Sequence, residues 1–279
     1  MGKCTPQKSI GICYFLFAAC LCARAIEYFI IKTDETIVGE NLIHKVAGIA
    51  LLFAALKVEN LKWSEIGFTR CGFLKNILQG LLLGMICFVI SYSIEIILLS
   101  VQGHAVHIEL YISGLSLTGL SIKHTDVPFF LLCVAFNFIN VWMEEGLFRG
   151  FFIKVISDKY SLSKANLIAA LLFGVWHFVM PVRSFIQGEL GFWQMLLLVA
   201  GYIVLSGLMS IKWGLLYRIT GSLWLGAADH FFNNTIATNM LHVVTDSGAD
   251  EMQIVRILLA QIISFLFVAI IYRRNKRNS

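Results

Sequence analysis

Residues 141–152 read VWMEEGLFRGFF: two adjacent carboxylates, Glu144 and Glu145, and one guanidinium, Arg149, among apolar side chains. The run around them, roughly 127–157, exceeds the about 20 helical residues that cross a hydrocarbon core about 30 Å thick. Ionised groups at such depth are expensive and by default mark function. The stretch therefore decides two things together. It makes the chain a membrane protein, and it marks where chemistry can sit.

Composition agrees. Of 279 residues, 58% are hydrophobic and 14% charged, with 22 Phe and 3 Pro. Soluble domains hold roughly 25% charged residues, so the sequence predicts an all-α, polytopic membrane helix bundle. Apolar runs fill most of the length, so residues 1–279 read as a single integral membrane domain. The net charge of +5 is spread over loops and is no nucleic-acid signal. Cys4, Cys13, Cys20, Cys22, Cys71, Cys87 and Cys133 have no CxxC or zinc spacing, and no disulfide is expected. The first apolar run lacks an obvious cleavage site and reads as a retained span.

Eight spans are expected, at roughly 9–31, 41–57, 74–100, 127–157, 163–180, 192–217, 221–244 and 252–272, the second and fifth being short. Basic residues cluster on one side: Lys3 and Lys8; Lys57, Lys62, Arg70 and Lys75; Lys154, Lys159 and Lys164; Lys212 and Arg218; and the tail Arg273, Arg274, Lys276 and Arg277. Alternate loops hold Asp34, Glu35 and Glu40, Glu109 and Asp126, Glu189, and Asp246, Asp250 and Glu251. Lys32, Lys45, Lys123, Arg183 and Arg256 are exceptions. Since Lys and Arg stay cytoplasmic, an even count with both termini in the cytoplasm is expected, in a multi-pass protein of the plasma membrane. His104, His107 and His124 fall in the third loop and read as solvated.

Within the spans stand Arg24, Glu27, Glu95, Glu144, Glu145, Arg149, His177, Asp229 and His230. Arg24 and Glu27, spaced i,i+3, can neutralise each other, and Glu95 can snorkel. The others come from three spans at similar depth: about 20 Å for Glu144 and His177 and about 14 Å for His230, at 1.5 Å per residue. Glu145 and Arg149 have ion-pair spacing. Asn137, Asn140 and Glu144 form one polar stripe, so Glu144 can face a cavity while Arg149 holds Glu145. His230 and Asn234 share a face, with Asp229 and Asn233 beside it. Trp176 stands beside His177 and can fix its ring.

Three motifs occur in order: EEGLFRG (EExxxR), FGVWH (FxxxH) and HFFNN (HxxxN), the last after GSLW. Over roughly 125–245 they resemble the CPBP family, the CAAX proteases and bacteriocin-processing enzymes or Abi proteins, which includes the type II CAAX prenyl endopeptidases. The resemblance implies that Glu144 activates a water with His177 as partner. It implies that His230 and Asn234 stabilise the tetrahedral oxyanion, that Glu145 and Arg149 are a supporting ion pair, and that no acyl-enzyme forms. The implied substrate is a peptide or membrane-tethered protein, either a prenylated CAAX-type tail or a leader peptide. Peptide hydrolysis needs a base, a water and oxyanion donors, and these residue types supply them.

Three other readings use the same residues. Glu144, His177 and His230 could ligate zinc, but there is no HExxH, and Asn234 suits an oxyanion better than a metal. No cofactor is therefore expected. A transporter would use buried Glu and His as a relay, but the paired broken spans of transporters are missing. An immunity factor or scaffold would not require all four polar groups.

Overall fold

The computed structural model describes residues 6–35, 41–113 and 123–278. Lys3, Cys4 and Glu40, used above, lie outside them. The helices are α1 (Pro6–Ile26), α2 (Ile43–Val58), α3 (Phe73–Val101), α4 (Val127–Glu144), α5 (Ile153–Ser157), α6 (Leu162–Trp176), α7 (Val179–Ile186), α8 (Phe192–Thr220), α9 (Trp224–Phe232) and α10 (Gln253–Asn278). A π-helical turn, Glu145–Phe152, joins α4 to α5, and another, Asn233–Thr238, extends α9. The bundle is all-α, as composition predicts.

Among the described residues, six helical stretches are long and apolar enough to cross a membrane: Ile10–Glu35, Phe73–Val101, Val127–Ser157, Leu162–Ile186, Phe192–Thr220 and Gln253–Arg277. Two of the eight expected spans, the second and the seventh, are not among them. The second expected span is α2, with 16 residues. The seventh ends as a helix at Thr238, and residues 241–244 form a strand. Both short helices are flanked by longer ones and need not match the bilayer thickness themselves. Gly80 of α3 makes the close approach of α9 possible: a Cβ there would stand 2.2 Å from the Leu225 carbonyl oxygen.

Local signals set the helix ends. Ser161 caps α6 by accepting from the Lys164 N–H at 3.4 Å, as N-cap serines do. Gly221 ends α8 at φ +67°, with its N–H donating to the Tyr217 carbonyl at 2.8 Å, the left-handed stop that glycine favours.

The outer surface is apolar: Phe15, Val89, Ile97, Leu131, Leu197, Val204 and Leu266 all point outward. Polar groups are buried between helices instead, which suits a lipid solvent. At one end of the bundle, Arg218 donates to Ser163 at 3.0 Å and covers Tyr272 near the end of α10. At the other end, strand β1 (His107–Leu110) pairs antiparallel with β4 (Leu241–Val244), and β2 (Ile112–Ser113) with β3 (Lys123–His124). The third loop is therefore not simply solvated. His107 lies in β1, and the His124 ring stacks on Phe129 at 3.9 Å.

Four of the basic exceptions have acidic partners. Arg183 pairs with Asp34 and, at 2.7 Å, with Glu35; Lys32 pairs with Glu35 at 3.3 Å; Lys123 pairs with Glu109 at 2.6 Å. Arg256 binds Glu95 at 2.7 Å and also Asp250. Glu95 is thus buried and paired, not snorkelling. Arg24 and Glu27 do not neutralise each other either. Glu27 accepts from Thr33, from the backbone N–H of Ile43 at 2.8 Å and of His44 at 2.6 Å, and meets His44 Nδ1.

Candidate active site

The carboxylates sit where α4 changes to π geometry, Glu144 as its last α residue and Glu145 as the first of the wider turn. Single π turns inside α-helices often mark functional sites. Two glycines let neighbours press against this turn. A Cβ on Gly150 would lie 2.9 Å from the Ile66 carbonyl oxygen, and one on Gly146 would lie 2.8 Å from Leu52 Cδ2.

Glu144 is 4% exposed. Its Oε1 accepts from the Trp176 indole N–H at 3.1 Å, and its Oε2 lies 3.5 Å from His230 Nε2. Trp176 therefore serves the carboxylate, not the ring of His177 as its sequence position suggests. Glu145 Oε1 lies 2.8 Å from His230 Nδ1 and 3.5 Å from Arg149 Nε. The expected ion pair is present, but the shortest polar contact of Glu145 is to the imidazole. The Arg149 guanidinium lies over the faces of Phe173 and Trp213, 3.9 and 4.7 Å from their centroids.

His230 lies flat against Trp213, centroids 3.9 Å apart and planes 16° apart. Its Nε2 is 3.2 Å from Asn234 Nδ2. A chain of hydrogen bonds fixes which way that amide points. The Lys212 ammonium, which can only donate, reaches Gln261 Oε1 at 2.7 Å. Gln261 Nε2 then donates to Asn233 Oδ1 at 3.0 Å, and Asn233 Nδ2 donates to Asn234 Oδ1 at 2.9 Å. Asn234 is left with its NH2 toward the site. Neutral His230 therefore has its hydrogen on Nδ1, facing Glu145, and accepts from Asn234 at Nε2.

His177 follows the end of α6, partly exposed. Its Nδ1 meets the Phe173 carbonyl at 2.8 Å. A carbonyl only accepts, so Nδ1 carries the hydrogen and the Nε2 lone pair is left available. The ring stands edge-on to Phe173 at 4.7 Å and parallel to Tyr202 at 6.5 Å. His177 joins the others through Phe173, whose ring also meets Arg149 and His230. All six sequence-selected residues, Glu144, Glu145, Arg149, His177, His230 and Asn234, thus fall in one contact network.

Several partners were not legible in the sequence. Lys212, placed there at the basic end of the sixth span, is 0% exposed and binds Asp229 at 2.6 Å and Ser264 at 3.2 Å. Trp213 Nε1 donates to the same Asp229 oxygen at 2.7 Å. The signal for Lys212 was its position eight residues before the end of α8, about 12 Å inside at helical rise. Gln261 and His44 offered no motif at all.

Two apolar hollows flank the site. One, about 390 Å³, is lined by Trp63, Phe68, Arg70, Phe73, Trp142 and Trp224. The other, about 430 Å³, lies between α3 and α9, with Leu78, Leu82, Met85, Phe231, Phe232 and Ile236 along it. No three His, Cys, Asp or Glu side chains form a metal-holding group among the described residues.

A polytopic helical membrane protein whose interior brings two carboxylates, two imidazoles and an amide together has the parts of a membrane-embedded hydrolase. Residues 126–236 match the family model described as type II CAAX prenyl endopeptidase Rce1-like. The matched segment contains all six residues above. The family is one of membrane proteases. None of the curated proteins matches the chain.

Proposed function

We propose that the protein is a glutamate-type intramembrane endopeptidase that hydrolyses a peptide bond near a lipid-bearing residue of a membrane-tethered substrate, without a metal. Glu144 is the general base for a water that also hydrogen-bonds to the free Nε2 lone pair of His177. The water oxygen attacks the scissile carbonyl carbon, and its proton passes to Glu144 and then to the departing amine. Asn234 donates to the developing oxyanion through Nδ2. His230 stands beside the same oxyanion, its Nδ1–H held by Glu145 at 2.8 Å and its Nε2 holding the Asn234 amide at 3.2 Å. Donors preset in this way are typically the largest contribution to acyl-transfer catalysis.

The observation that supports this reading most is the setting of Glu144. Trp176 holds one oxygen at 3.1 Å, and His230 Nε2 stands 3.5 Å from the other. The all-apolar groove beside Phe231 and Phe232 suits a prenyl chain. Near the end of α8, Arg218 reaches Ser163 of α6 and Tyr272 of α10 at one end of the bundle, the end that the positive-inside tendency favours for the cytoplasm.

The test is cleavage of a prenylated peptide by the purified chain in detergent. Glu144→Gln and His177→Ala should each lower kcat by about 100-fold or more, with thermal unfolding little changed. Activity should survive phenanthroline. Loss of activity in chelator with recovery on adding zinc would overturn the metal-free mechanism. An active Glu144→Gln variant would overturn the role of that residue.

A further inference from the structure

Four arginines are buried: Arg24, Arg149, Arg183 and Arg256. Three have carboxylate partners: Glu145 for Arg149, Asp34 and Glu35 for Arg183, and Glu95 and Asp250 for Arg256. Arg24 does not. It is 7% exposed and, although all four have an Nε without a hydrogen-bond partner, Arg24 alone of the four has no carboxylate within ion-pair distance among the described residues. The nearest candidate in sequence, Glu27, is already engaged by His44, Thr33 and two backbone N–H groups.

An unpaired guanidinium inside a bundle is a large penalty unless something anionic joins it. Its position suggests what joins it. The Arg24 guanidinium lies over the Trp176 ring, 4.6 Å from the centroid, and 5.1 Å from that of Tyr28. The same indole donates its N–H to Glu144. Glu144, His177 and Tyr202 are all within electrostatic reach of the guanidinium. A free cation therefore stands one indole away from the proposed base. Guanidinium suits carboxylate, which it can bind through two parallel hydrogen bonds.

We infer that Arg24 receives the free C-terminal carboxylate of the peptide being cut. The guanidinium stands 4.6 Å from the indole centroid and Glu144 3.1 Å from the indole nitrogen, so a terminus at Arg24 lies a few residues of extended chain, at about 3.3 Å each, from a carbonyl at Glu144. The enzyme then selects bonds a few residues from a free C-terminus and rejects internal sites and leader junctions, where no carboxylate reaches Arg24. The inference rests on the peptidase reading and adds a specificity residue that lies outside the segment matching the family model.

The full chain in detergent is given two prenylated peptides of one sequence, one ending in a carboxylate and the other in a carboxamide. Wild type should prefer the acid by about 10- to 100-fold in kcat/KM, as for loss of a charge-assisted contact. In Arg24→Gln the acid-to-amide ratio should fall to about one, and Arg24→Lys should restore part of it. The released tripeptide acid should inhibit wild type, and its amide should not, a measurement that needs no variant. Equal cleavage of both peptides by wild type overturns the inference and leaves the peptidase reading standing. So does an Arg24→Gln variant that is slower but keeps the ratio, since Arg24 would then act through Glu144. Cleavage of neither peptide overturns the peptidase reading, and this inference with it.

Discussion

The indole of Trp176 joins two charges: its ring lies under the Arg24 guanidinium, and its N–H holds Glu144 at 3.1 Å. One side chain thus positions the proposed base and the Arg24 cation together. Trp176→Phe keeps most of the ring surface and removes the donor. It should lower kcat by roughly 10- to 100-fold, the range for losing a hydrogen bond to a charged group. The expression level and unfolding temperature should stay near wild type. Steady-state cleavage with thermal unfolding in the same detergent checks this.

Amide polarity along Lys212, Gln261, Asn233 and Asn234 gives a second expectation. Gln261→Glu is nearly isosteric and still accepts from Lys212, but a carboxylate cannot donate to Asn233 Oδ1. Asn233 must then turn over, and the inversion passes to Asn234, leaving an oxygen where the NH2 faced the site. The kcat should fall by about 10- to 100-fold with little change in KM, below the full loss of an oxyanion donor. Unchanged kcat would mean that the amide is oriented by other contacts.

Lys212 and Asp229 form a buried pair at 2.6 Å. Lys212→Met leaves the Asp229 carboxylate with Trp213 as its remaining hydrogen-bond donor among the described residues. Removing one partner of a buried pair costs about 3–5 kcal/mol, so the unfolding temperature should drop markedly. Replacing both, with Lys212→Met and Asp229→Leu, should recover much of that loss. A double variant less stable than the single one would contradict this.

Asp250, before α10, predicts a pH effect on stability. Burial alone would raise its carboxyl group, but hydrogen bonds from His242 and Arg256 outweigh that and hold it below its ordinary 3.8. Glu95 and Tyr111 also face this cluster: Glu95 shares Arg256, and the Tyr111 ring stacks on His242. A folded-state value below the unfolded one means the stabilisation is fully present above about pH 4 and is lost as pH falls through the folded value. Unfolding temperature measured downward from about pH 5 should decline, and Asp250→Asn should decline less. Equal slopes would remove Asp250 from the account.

The parts of the site legible in the sequence were those whose chemistry conflicts with lipid. Glu144, Arg149, His177 and His230 stood out because nothing apolar explains them, and helical spacing linked Glu145 with Arg149 and His230 with Asn234. The parts that were not legible depend on wider geometry. The π turn at Glu145–Phe152 changes which faces the two glutamates present, and no residue in EEGLFRG announces it. Trp176 and Trp213 resemble ordinary span residues until their N–H groups are seen on carboxylates. The second and seventh expected spans differ from the rest in length: α2 has 16 residues and α9 nine, and hydropathy does not fix where a helix ends.

The clasp at Lys212 also limits what can be detached. Its ammonium reaches Asp229 within residues 126–236, but also Gln261 and Ser264 beyond them. Gly80 of α3 admits α9 from the other side of that boundary. Excised alone, the conserved-model segment would strand a cation and expose a seam shaped for its absent neighbours. The border of the matched segment therefore runs through buried contacts, with α3 and α10 packed against the helices it contains.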